Sequence, residues 1–367
     1  MIWIILLLMI ALVVIVGTLF LNSKPFGKAP SGERLERFSK VKYYHDGAFR
    51  NIEETPMLAD DASYTKILFE FFFKSSRRKS PKTALPTVKT DLKALATISD
   101  VLIWFGHSSY FMQIDGIRIL VDPVFSGSAS PVPGSVKAFP GTDIYSALDM
   151  PEIDLLLITH DHYDHLDYET IVALKPKVKQ VITSLGCGSH LEYWGYDASL
   201  ITELNWEESI DFNENLKLTA LPARHFGGRG LNRGNTFWSA FLMESDALSI
   251  FVGGDSGYGK HFKQIGNAHP GIDLAILENG QYDVKWPLIH MQPDEVILAI
   301  KDLGAKRLLP VHSGKFPLAN HDWDEPLKRI YDASGKAGIP LLTPRIGEII
   351  RLNDADQSFD AWWVGID

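Results

Sequence analysis

The chain has 367 residues, of which 46% are hydrophobic and 22% charged, and 36 basic against 45 acidic residues give it a formal net charge of −9. These values are ordinary for a folded globular protein and exclude disorder, collagen and coiled coil for the chain as a whole. The single cysteine, Cys187, excludes a disulfide scaffold, and the acidic balance argues against a general nucleic-acid-binding protein.

The first predicted element is an apolar helix from Ile2 to Leu21, interrupted only by Gly17 and Thr18. Twenty helical residues span about 30 Å, the thickness of the hydrocarbon core of a bilayer. A cleaved signal peptide is the alternative, but no basic residue precedes the run and no small-residue cleavage site follows it. We therefore predict an uncleaved, single-pass membrane anchor at residues 1–22. The positive-inside rule places the remainder of the chain in the cytoplasm, because basic residues follow the run: Lys24, Lys28, Arg34, Arg37, Lys40 and Lys42.

Residues 23–95 are predicted to be a linker and N-terminal extension. Proline and glycine residues between positions 25 and 32 indicate the linker. An apolar segment at 67–74 is followed by a basic cluster at 77–79. We predict a helix that packs on the main domain, since most apolar clusters in globular chains lie in the core. An element at the membrane interface is the alternative.

Residues 96–367 are predicted to form one domain of the α/β class. Strands are predicted at 101–105, 116–121, 154–159, 178–184, 216–221, 238–244, 248–253, 272–278, 307–311 and 345–352. Helices are predicted at 167–174, 293–303 and 324–337. Many strands with interspersed helices indicate layered sheets that are covered by helices.

The strongest chemical signal follows the strand at 154–159, where His160, His162, Asp164 and His165 lie within six residues. His160 and His162 are two residues apart, so in an extended segment both rings point to one side. Asp164 and His165 enter the next helix and can face a second position. So many polar groups beside a buried strand would stabilise little without a cation. The cluster therefore predicts a metal site, for which zinc is the first candidate and manganese or iron the alternatives.

Three later residues of ligand type, His225, Asp255 and His312, also follow apolar strands. The seven candidates form two predicted sites that Asp255 bridges: His160, His162 and His225, and Asp164, His165 and His312. Two metals about 3.5–4 Å apart activate water and clamp both oxygens of a displacement. The sequence thus predicts a dinuclear metal enzyme.

Residues 160–165 resemble the H-x-H-x-D-H signature of the metallo-β-lactamase fold, and the later His, Asp and His occur in that family's order. The resemblance covers about residues 100–352. It implies a four-layer αββα sandwich with a dinuclear site at one edge between two sheets. Further segments resemble the N-acylphosphatidylethanolamine-hydrolysing phospholipase D branch and its bacterial relatives: residues 104–109, 121–126, 160–167, 254–258, 290–295 and 311–319.

This second resemblance implies that residues 96–367 are a catalytic domain with two Zn²⁺ that acts on a phospholipid at a membrane. The bond cleaved would join the phosphate to the ethanolamine oxygen, and the products would be phosphatidic acid and an N-acylethanolamine. By resemblance, His290 lies near the site and protonates the leaving group or holds the phosphate. Asp164 or Asp255 could accept a proton while also binding metal.

Three further residues are placed near the site by the resemblance. His107 and Asp122 match family positions close to the metals, and we expect Asp122 to orient an imidazole that binds metal. Lys315 departs from the animal pattern. We expect it either to attract an anionic head group or to mark a different substrate.

Other functions stay open at this point. A hydrolase of the same fold could act on a lactone, a cyclic phosphate or another phosphodiester. A non-catalytic, metal-binding membrane protein is disfavoured, because a structural zinc needs only four ligands and the chain offers seven. A redox di-iron site is disfavoured, because the di-iron branch of the metallo-β-lactamase fold has a carboxylate at the position of His162. Nucleic-acid partners are not expected, and the oligomeric state is open, with a dimer among the alternatives.

Overall fold

The computed structural model of the chain describes residues 2–73, 76, 78–230 and 233–367, apart from the side chains of residues 68, 71 and 72. Lys74 and Arg77 of the predicted apolar and basic segments lie outside these residues. The helices are α1 (Ile2–Leu21), α2 (Glu33–Phe38), α3 (Tyr64–Phe73), α4 (Tyr168–Leu174), α5 (Gly188–Tyr193), α6 (His261–Ala268), α7 (Pro293–Leu303) and α8 (Glu325–Ala337). A two-stranded hairpin, β1 (Tyr44–His45) and β2 (Ala48–Phe49), lies in the N-terminal extension.

Two large sheets contain the other strands. The first is ordered β15-β3-β4-β5-β6-β7-β8 and the second β14-β13-β12-β11-β10-β9. Strands of the first sheet are β3 (Val101–Trp104), β4 (Tyr110–Ile114), β5 (Ile117–Val121), β6 (Ile153–Ile158), β7 (Val178–Ser184), β8 (Ile201–Leu204) and β15 (Ile349–Arg351). Those of the second are β9 (Ser209–Asn213), β10 (Leu216–Leu221), β11 (Ala240–Ser245), β12 (Ser249–Val252), β13 (Leu274–Glu278) and β14 (Arg307–Val311).

The alternation of side chains along β6 shows how the layers form. Leu155 and Leu157 point into the core between the two sheets, where they join residues of β11 such as Phe241. Leu156 and Ile158 point to the other face, which α4 and α5 cover. The outer face of the second sheet packs in the same way against α6, α7 and α8. The four-layer αββα sandwich expected from the sequence is therefore confirmed.

Most predicted strands and helices agree with the structure within a few residues, but several elements were missed. The pattern did not predict β4, β8, β9, α2, α5 or α6, and the last strand, predicted at 345–352, covers only Ile349–Arg351. β9 lies at a sheet edge and has no buried residue, so it lacks the apolar run that marks a strand. α5 has only six residues, too few for a helical periodicity to be visible.

The helix α1 is long and apolar enough to span a membrane, and none of its residues is buried against the protein. The segment that follows α1 packs against the rest of the protein. Phe38 and Phe49 are buried in a small core with Phe237. Arg34 forms ion pairs with carboxylates at 2.6 and 3.1 Å, those of Glu192 and Glu203. The boundaries of the anchor, extension and catalytic domain proposed from the sequence stay predictions.

Candidate metal centre

The candidate metal centre lies where the two sheets meet at one edge. His160 follows β6 of the first sheet, whereas His225, Asp255 and His312 follow β10, β12 and β14 of the second. The three strands of the second sheet run in one direction, so their C-terminal ends reach the same edge. All seven side chains predicted from the sequence come together there, and all but the half-buried His162 are buried.

The first cluster contains His160, His162, His225 and Asp255, whose potential ligand atoms lie within 4.8 Å of one another. Oδ2 of Asp255 is 3.8 Å from Nε2 of His160 and 3.7 Å from Nε2 of His225. Nδ1 of His225 lies 2.9 Å from the carbonyl oxygen of Ile289. Because that carbonyl only accepts, a neutral His225 carries its proton on Nδ1, which leaves the lone pair of Nε2 facing the cluster.

The second cluster contains Asp164, His165 and His312, together with His107. Oδ1 of Asp255 lies 3.2 Å from Nε2 of His165 and 3.2 Å from Nδ1 of His312. Asp255 therefore presents one carboxylate oxygen to each cluster, as a bridging ligand would. Asp164 is held by Nε2 of His107 at 2.8 Å, a contact that the sequence did not predict.

The buried atoms of the two clusters fit a cation. Nε2 of His160, Nε2 of His165 and Oδ1 of Asp255 are buried and have no hydrogen-bond partner among the described residues. Burial also lowers the pKa of His160, His225 and His312 well below the usual value, so these rings are neutral, the form in which imidazole binds metal. The donor set of imidazoles and carboxylates suits a divalent metal such as zinc, manganese or iron.

Asp122 makes the contact expected of it. Its Oδ2 lies 2.8 Å from Nδ1 of His165, and the same carboxylate accepts hydrogen bonds from the backbone and hydroxyl of Thr159 at 2.9 and 2.6 Å. His165 thus donates through Nδ1 and turns Nε2 towards the clusters. Asp161, inside the same loop, points away and accepts hydrogen bonds from His190, Gly228 and Thr236.

Backbone strain is concentrated at this edge. Asp122, His107 and His312 have φ values of 42°, 53° and 65°, a left-handed conformation that non-glycine residues rarely adopt. The amide of His312 donates to the carbonyl of His107 at 3.0 Å, and the amide of His107 donates to the carbonyl of Ser313 at 2.9 Å. These reciprocal bonds join the two sheets and hold the strained residues in place.

The structure places His290 in the site, as expected from the sequence, but turns Lys315 away from it. His290 lines the cavity above the clusters, and its ring stacks on His312 with centroids 5.2 Å apart. Lys315 is buried: its Nζ donates to the carbonyl of Val124 at 2.9 Å and lies 3.4 Å from a carboxylate oxygen of Asp143. The expectation that Lys315 attracts a head group in the site is therefore wrong, because its charge is turned into the protein.

Sequence reasoning missed Glu278, the buried last residue of β13. Its Oε2 lies 2.9 Å from Nδ1 of His290. Burial raises the pKa of this carboxyl to about 7. The rule that found Asp255, a polar residue at the end of an apolar strand, would also have selected Glu278.

The cavity over the clusters has a volume of about 460 Å³ and mostly apolar walls. Part of the wall comes from the N-terminal extension, namely Met57, Leu58, Tyr64 and Ile67. Phe226, Trp286, Ile289 and Leu318 from the domain form the remainder of the apolar lining. Arg233 lies at the mouth and donates to the hydroxyl of Tyr64 at 3.1 Å. The site therefore suits a substrate with an apolar part beside an anionic group.

Comparison with known proteins agrees with this geometry. The model of a beta-lactamase superfamily domain matches residues 117–313. An uncharacterized protein of Mycobacterium tuberculosis is 35% identical over 326 residues, 87% of each chain. The N-acyl-phosphatidylethanolamine-hydrolyzing phospholipase D 1 of Caenorhabditis elegans is 30% identical over 274 residues, 68% of this chain and 75% of the relative.

Solved structures show the same fold. A metallo hydrolase from the archaeon Ignicoccus hospitalis matches with a TM-score of 0.53 and 19% identity, over 69% of this chain and 97% of the other. At that identity the likeness concerns the fold alone. It supports the arrangement of the two sheets and leaves the chemistry to the site itself.

Proposed function

The chain belongs to the beta-lactamase superfamily of metal-dependent hydrolases, and from this premise we propose that it cleaves the phosphodiester of N-acylphosphatidylethanolamine. The products would be phosphatidic acid and an N-acylethanolamine. One observation carries the proposal: two clusters of ligand side chains share Asp255 at the base of a cavity with apolar walls. A soluble phosphodiester has no apolar surface to bury against those walls, whereas the acyl chain of N-acylphosphatidylethanolamine has.

We propose that His160, His162 and His225 hold one Zn²⁺ and that Asp164, His165 and His312 hold the other, with Asp255 between them. When bound, two such metals lower the pKa of water to about 7 and neutralise phosphate charge. The protein's own part is to aim the rings. Asp122 does so for His165 and the carbonyl of Ile289 for His225.

Three other side chains would act on the substrate. Asp164 or Asp255 would accept the proton of the attacking water. His290, which lines the cavity, would donate a proton from Nε2 to the oxygen of the leaving N-acylethanolamine. Arg233 at the mouth would pair with the phosphate, since a guanidinium matches two phosphate oxygens at once.

We also propose that α1 anchors the protein in a membrane with the catalytic domain on the cytoplasmic side. Phe20 at the end of α1 contacts Phe26 at 5.0 Å between ring centroids, and Phe26 contacts Tyr163 at 5.9 Å. Tyr163 belongs to the loop that carries His162 and Asp164. These contacts connect the end of the proposed anchor to the loop of the candidate centre, which supports a lipid substrate.

The test uses the full chain, with its metal content measured, in mixed micelles that contain N-acylphosphatidylethanolamine. In water labelled with ¹⁸O, mass spectrometry should find N-acylethanolamine without label and phosphatidic acid with one labelled oxygen, since the bond broken joins phosphorus to the ethanolamine oxygen. Asp164→Asn should abolish release of the products. Asp197→Asn should not, because Asp197 is exposed and caps a short helix at residues 198–200 that carries none of the candidate ligands.

Two other results would overturn the proposal. Bound metal without release of either product would exclude this substrate, and a panel of lactones, cyclic phosphates and other phosphodiesters would then be tried. A folded protein that binds no metal would exclude the metal-dependent mechanism altogether.

A further inference from the structure

Glu278 lies in the same row of strand ends as the candidate metal ligands. It is the last residue of β13 and is in register with Val311, the residue before His312. The neighbouring strand on the other side, β12, leads to Asp255. Only 1% of Glu278 is exposed, although it carries a carboxylate. A carboxylate is rarely buried to this extent unless its oxygens are used.

Both oxygens of Glu278 are used on two consecutive residues. Oε2 lies 2.9 Å from Nδ1 of His290, and Oε1 accepts the backbone N–H of Met291 at 2.5 Å. At pH values above its pKa of about 7, the Glu278 carboxyl is ionised and has no proton to donate, so the ring donates Nδ1–H to it. The contact therefore selects one tautomer of the neutral His290 ring, with the proton on Nδ1.

The rest of the environment holds the ring in one plane. It stacks on His312 with an interplanar angle of 18° and lies 5.1 Å from the ring of His225. With Nδ1 engaged by Glu278, Nε2 is the nitrogen that remains for the cavity that His290 lines. Glu278 would thus act on the substrate only through His290.

We propose that Glu278 is a positioning residue that fixes the tautomer and direction of His290, so that Nε2 faces the leaving oxygen of the substrate. The proposal deepens the proposed function and rests on it. When the doubly protonated ring gives its Nε2 proton to the leaving alkoxide, the N–H electron pair stays on Nε2, and the other proton stays on Nδ1, hydrogen-bonded to Glu278. The product is the tautomer that this carboxylate stabilises.

The competing explanation is that Glu278 only holds the loop before α7 through Met291. Glu278→Gln separates the two roles, because the amide oxygen can still accept the Met291 N–H. The amide nitrogen, however, can only donate to Nδ1 of His290 and would move the ring proton to Nε2. We expect kcat to fall by at least about tenfold with KM within about twofold, as for other residues that orient a catalytic imidazole.

The double variant with His290→Gln is the sharper test. If Glu278 acts through His290, the pair should have no lower kcat than His290→Gln alone. Additive losses would overturn the proposal. Glu295→Gln is the matched control, because Glu295 accepts from the backbone of Gln292 at the start of α7 without touching His290. It should leave kcat unchanged.

A spectroscopic test is independent of turnover. In the full chain in detergent micelles, labelled with ¹⁵N in the histidine rings, the signals absent from His290→Gln identify His290. Their shifts should indicate a proton on Nδ1 in the wild type and on Nε2 in Glu278→Gln. The same tautomer in both would overturn the proposal. A wild-type protein without phosphodiesterase activity would defeat the proposed function, while this measurement would still decide the role of Glu278.

If Glu278→Gln does not fold, Glu278→Asp takes its place. Aspartate keeps the charge but withdraws it by one methylene from His290. The same loss of kcat at constant KM is expected, and an unchanged kcat would overturn the proposal.

Discussion

At the scale of single residues, the candidate centre depends on hydrogen bonds behind the rings. His165 is oriented by Asp122, His225 by a backbone carbonyl and His290 by Glu278. In each case an acceptor binds Nδ1–H and thereby directs Nε2 forward. Such acceptors cannot be recognised from ligand spacing, because they come from distant segments.

The first prediction concerns Asp122. Asp122→Asn replaces Oδ2, the oxygen that accepts from Nδ1 of His165, with an amide nitrogen. The amide nitrogen can only donate, so the hydrogen bond that orients the His165 ring is lost. We expect metal affinity to fall by about 10–100-fold, the usual effect of losing such a partner. Metal titration followed by calorimetry measures it. Asp154→Asn, near the opposite end of β6, is the control, and equal affinities for the two variants would contradict the prediction.

A second prediction concerns His261, which is buried and lies 3.1 Å from the hydroxyl of Ser256. Burial, with a smaller effect of Arg224, lowers its pKa to about 3. The unfolded chain has the ordinary value of about 6.5, so it binds more protons between these limits and stability falls as the pH falls through them. At pH 5 the loss is about 2 kcal/mol.

Urea unfolding of the full chain at pH 7 and pH 5 measures this loss. His261→Gln should reduce the difference between the two pH values, because glutamine does not titrate. His45→Gln, which replaces an exposed histidine, should not change it. A pH dependence that is identical in His261→Gln and wild type would contradict the assignment.

At the scale of elements, the segment after α1 is bonded to the loop that carries the candidate ligands. Arg229 is buried and donates to the carbonyls of Asp161 and Leu166, at 2.6 and 2.9 Å, and to that of Pro25 at 3.1 Å. Its guanidinium also lies 4.1 Å from the ring centroid of Tyr163. One side chain therefore joins the segment that follows α1 to the loop at 160–165.

The third prediction follows from these bonds. Arg229→Ala leaves three carbonyls without their donor, two of them in buried contacts, and should lower the free energy of unfolding by about 3 kcal/mol. Arg37→Ala removes an ion pair with Glu208 in which both side chains are nearly half exposed and one partly buried hydrogen bond to the carbonyl of Glu203, and should cost only about 1 kcal/mol. Chemical denaturation of both variants provides the comparison, and equal losses would contradict it.

At the scale of the whole molecule, the candidate centre joins the two halves of the sandwich. Its side chains come from the ends of strands in both sheets, so a bound metal would cross-link them. The N-terminal extension adds a wall to the same cavity through Met57, Leu58, Tyr64 and Ile67. Lys285 holds this extension in place through an ion pair with Glu70 at 2.7 Å.

The fourth prediction is that metal removal destabilises the fold. A ligand present at a thousand times its dissociation constant stabilises the native state by about 4 kcal/mol. Dialysis against a chelator should therefore lower Tm by at least about 5 °C, and zinc should restore it. In Asp255→Asn, which lacks the shared carboxylate, the chelator should have a much smaller effect. An unchanged Tm in the wild type would contradict metal binding at this site.

The fifth prediction concerns α1. Because none of its apolar side chains is buried in the protein, we expect the full chain to resist extraction of membranes by alkaline carbonate. Deletion of residues 2–21 should release the protein, while Gly17→Leu, which keeps the helix apolar, should not. Release of the full chain by carbonate would contradict membrane spanning.

Many features of this protein could be predicted from local sequence patterns. The apolar run of α1, the strand before His160 and the cluster at 160–165 are each visible within a window of about twenty residues. A strand buried on both faces, such as β6, needs an unbroken apolar run, and polar side chains just beyond it lie at the sheet edge. These local rules were enough to select seven candidate ligands and to indicate layered sheets covered by helices, whereas the αββα order was implied by the family resemblance.

The tertiary structure alone decided which distant segments meet. Lys315 follows His312 closely in sequence, yet its charge turns towards Val124 and Asp143. Glu278 and His290 are joined only because β13 ends beside the loop before α7. The pairing of sheet edges and the turn of each loop set these contacts, and they depend on the packing of the whole core rather than on the periodicity of any one segment.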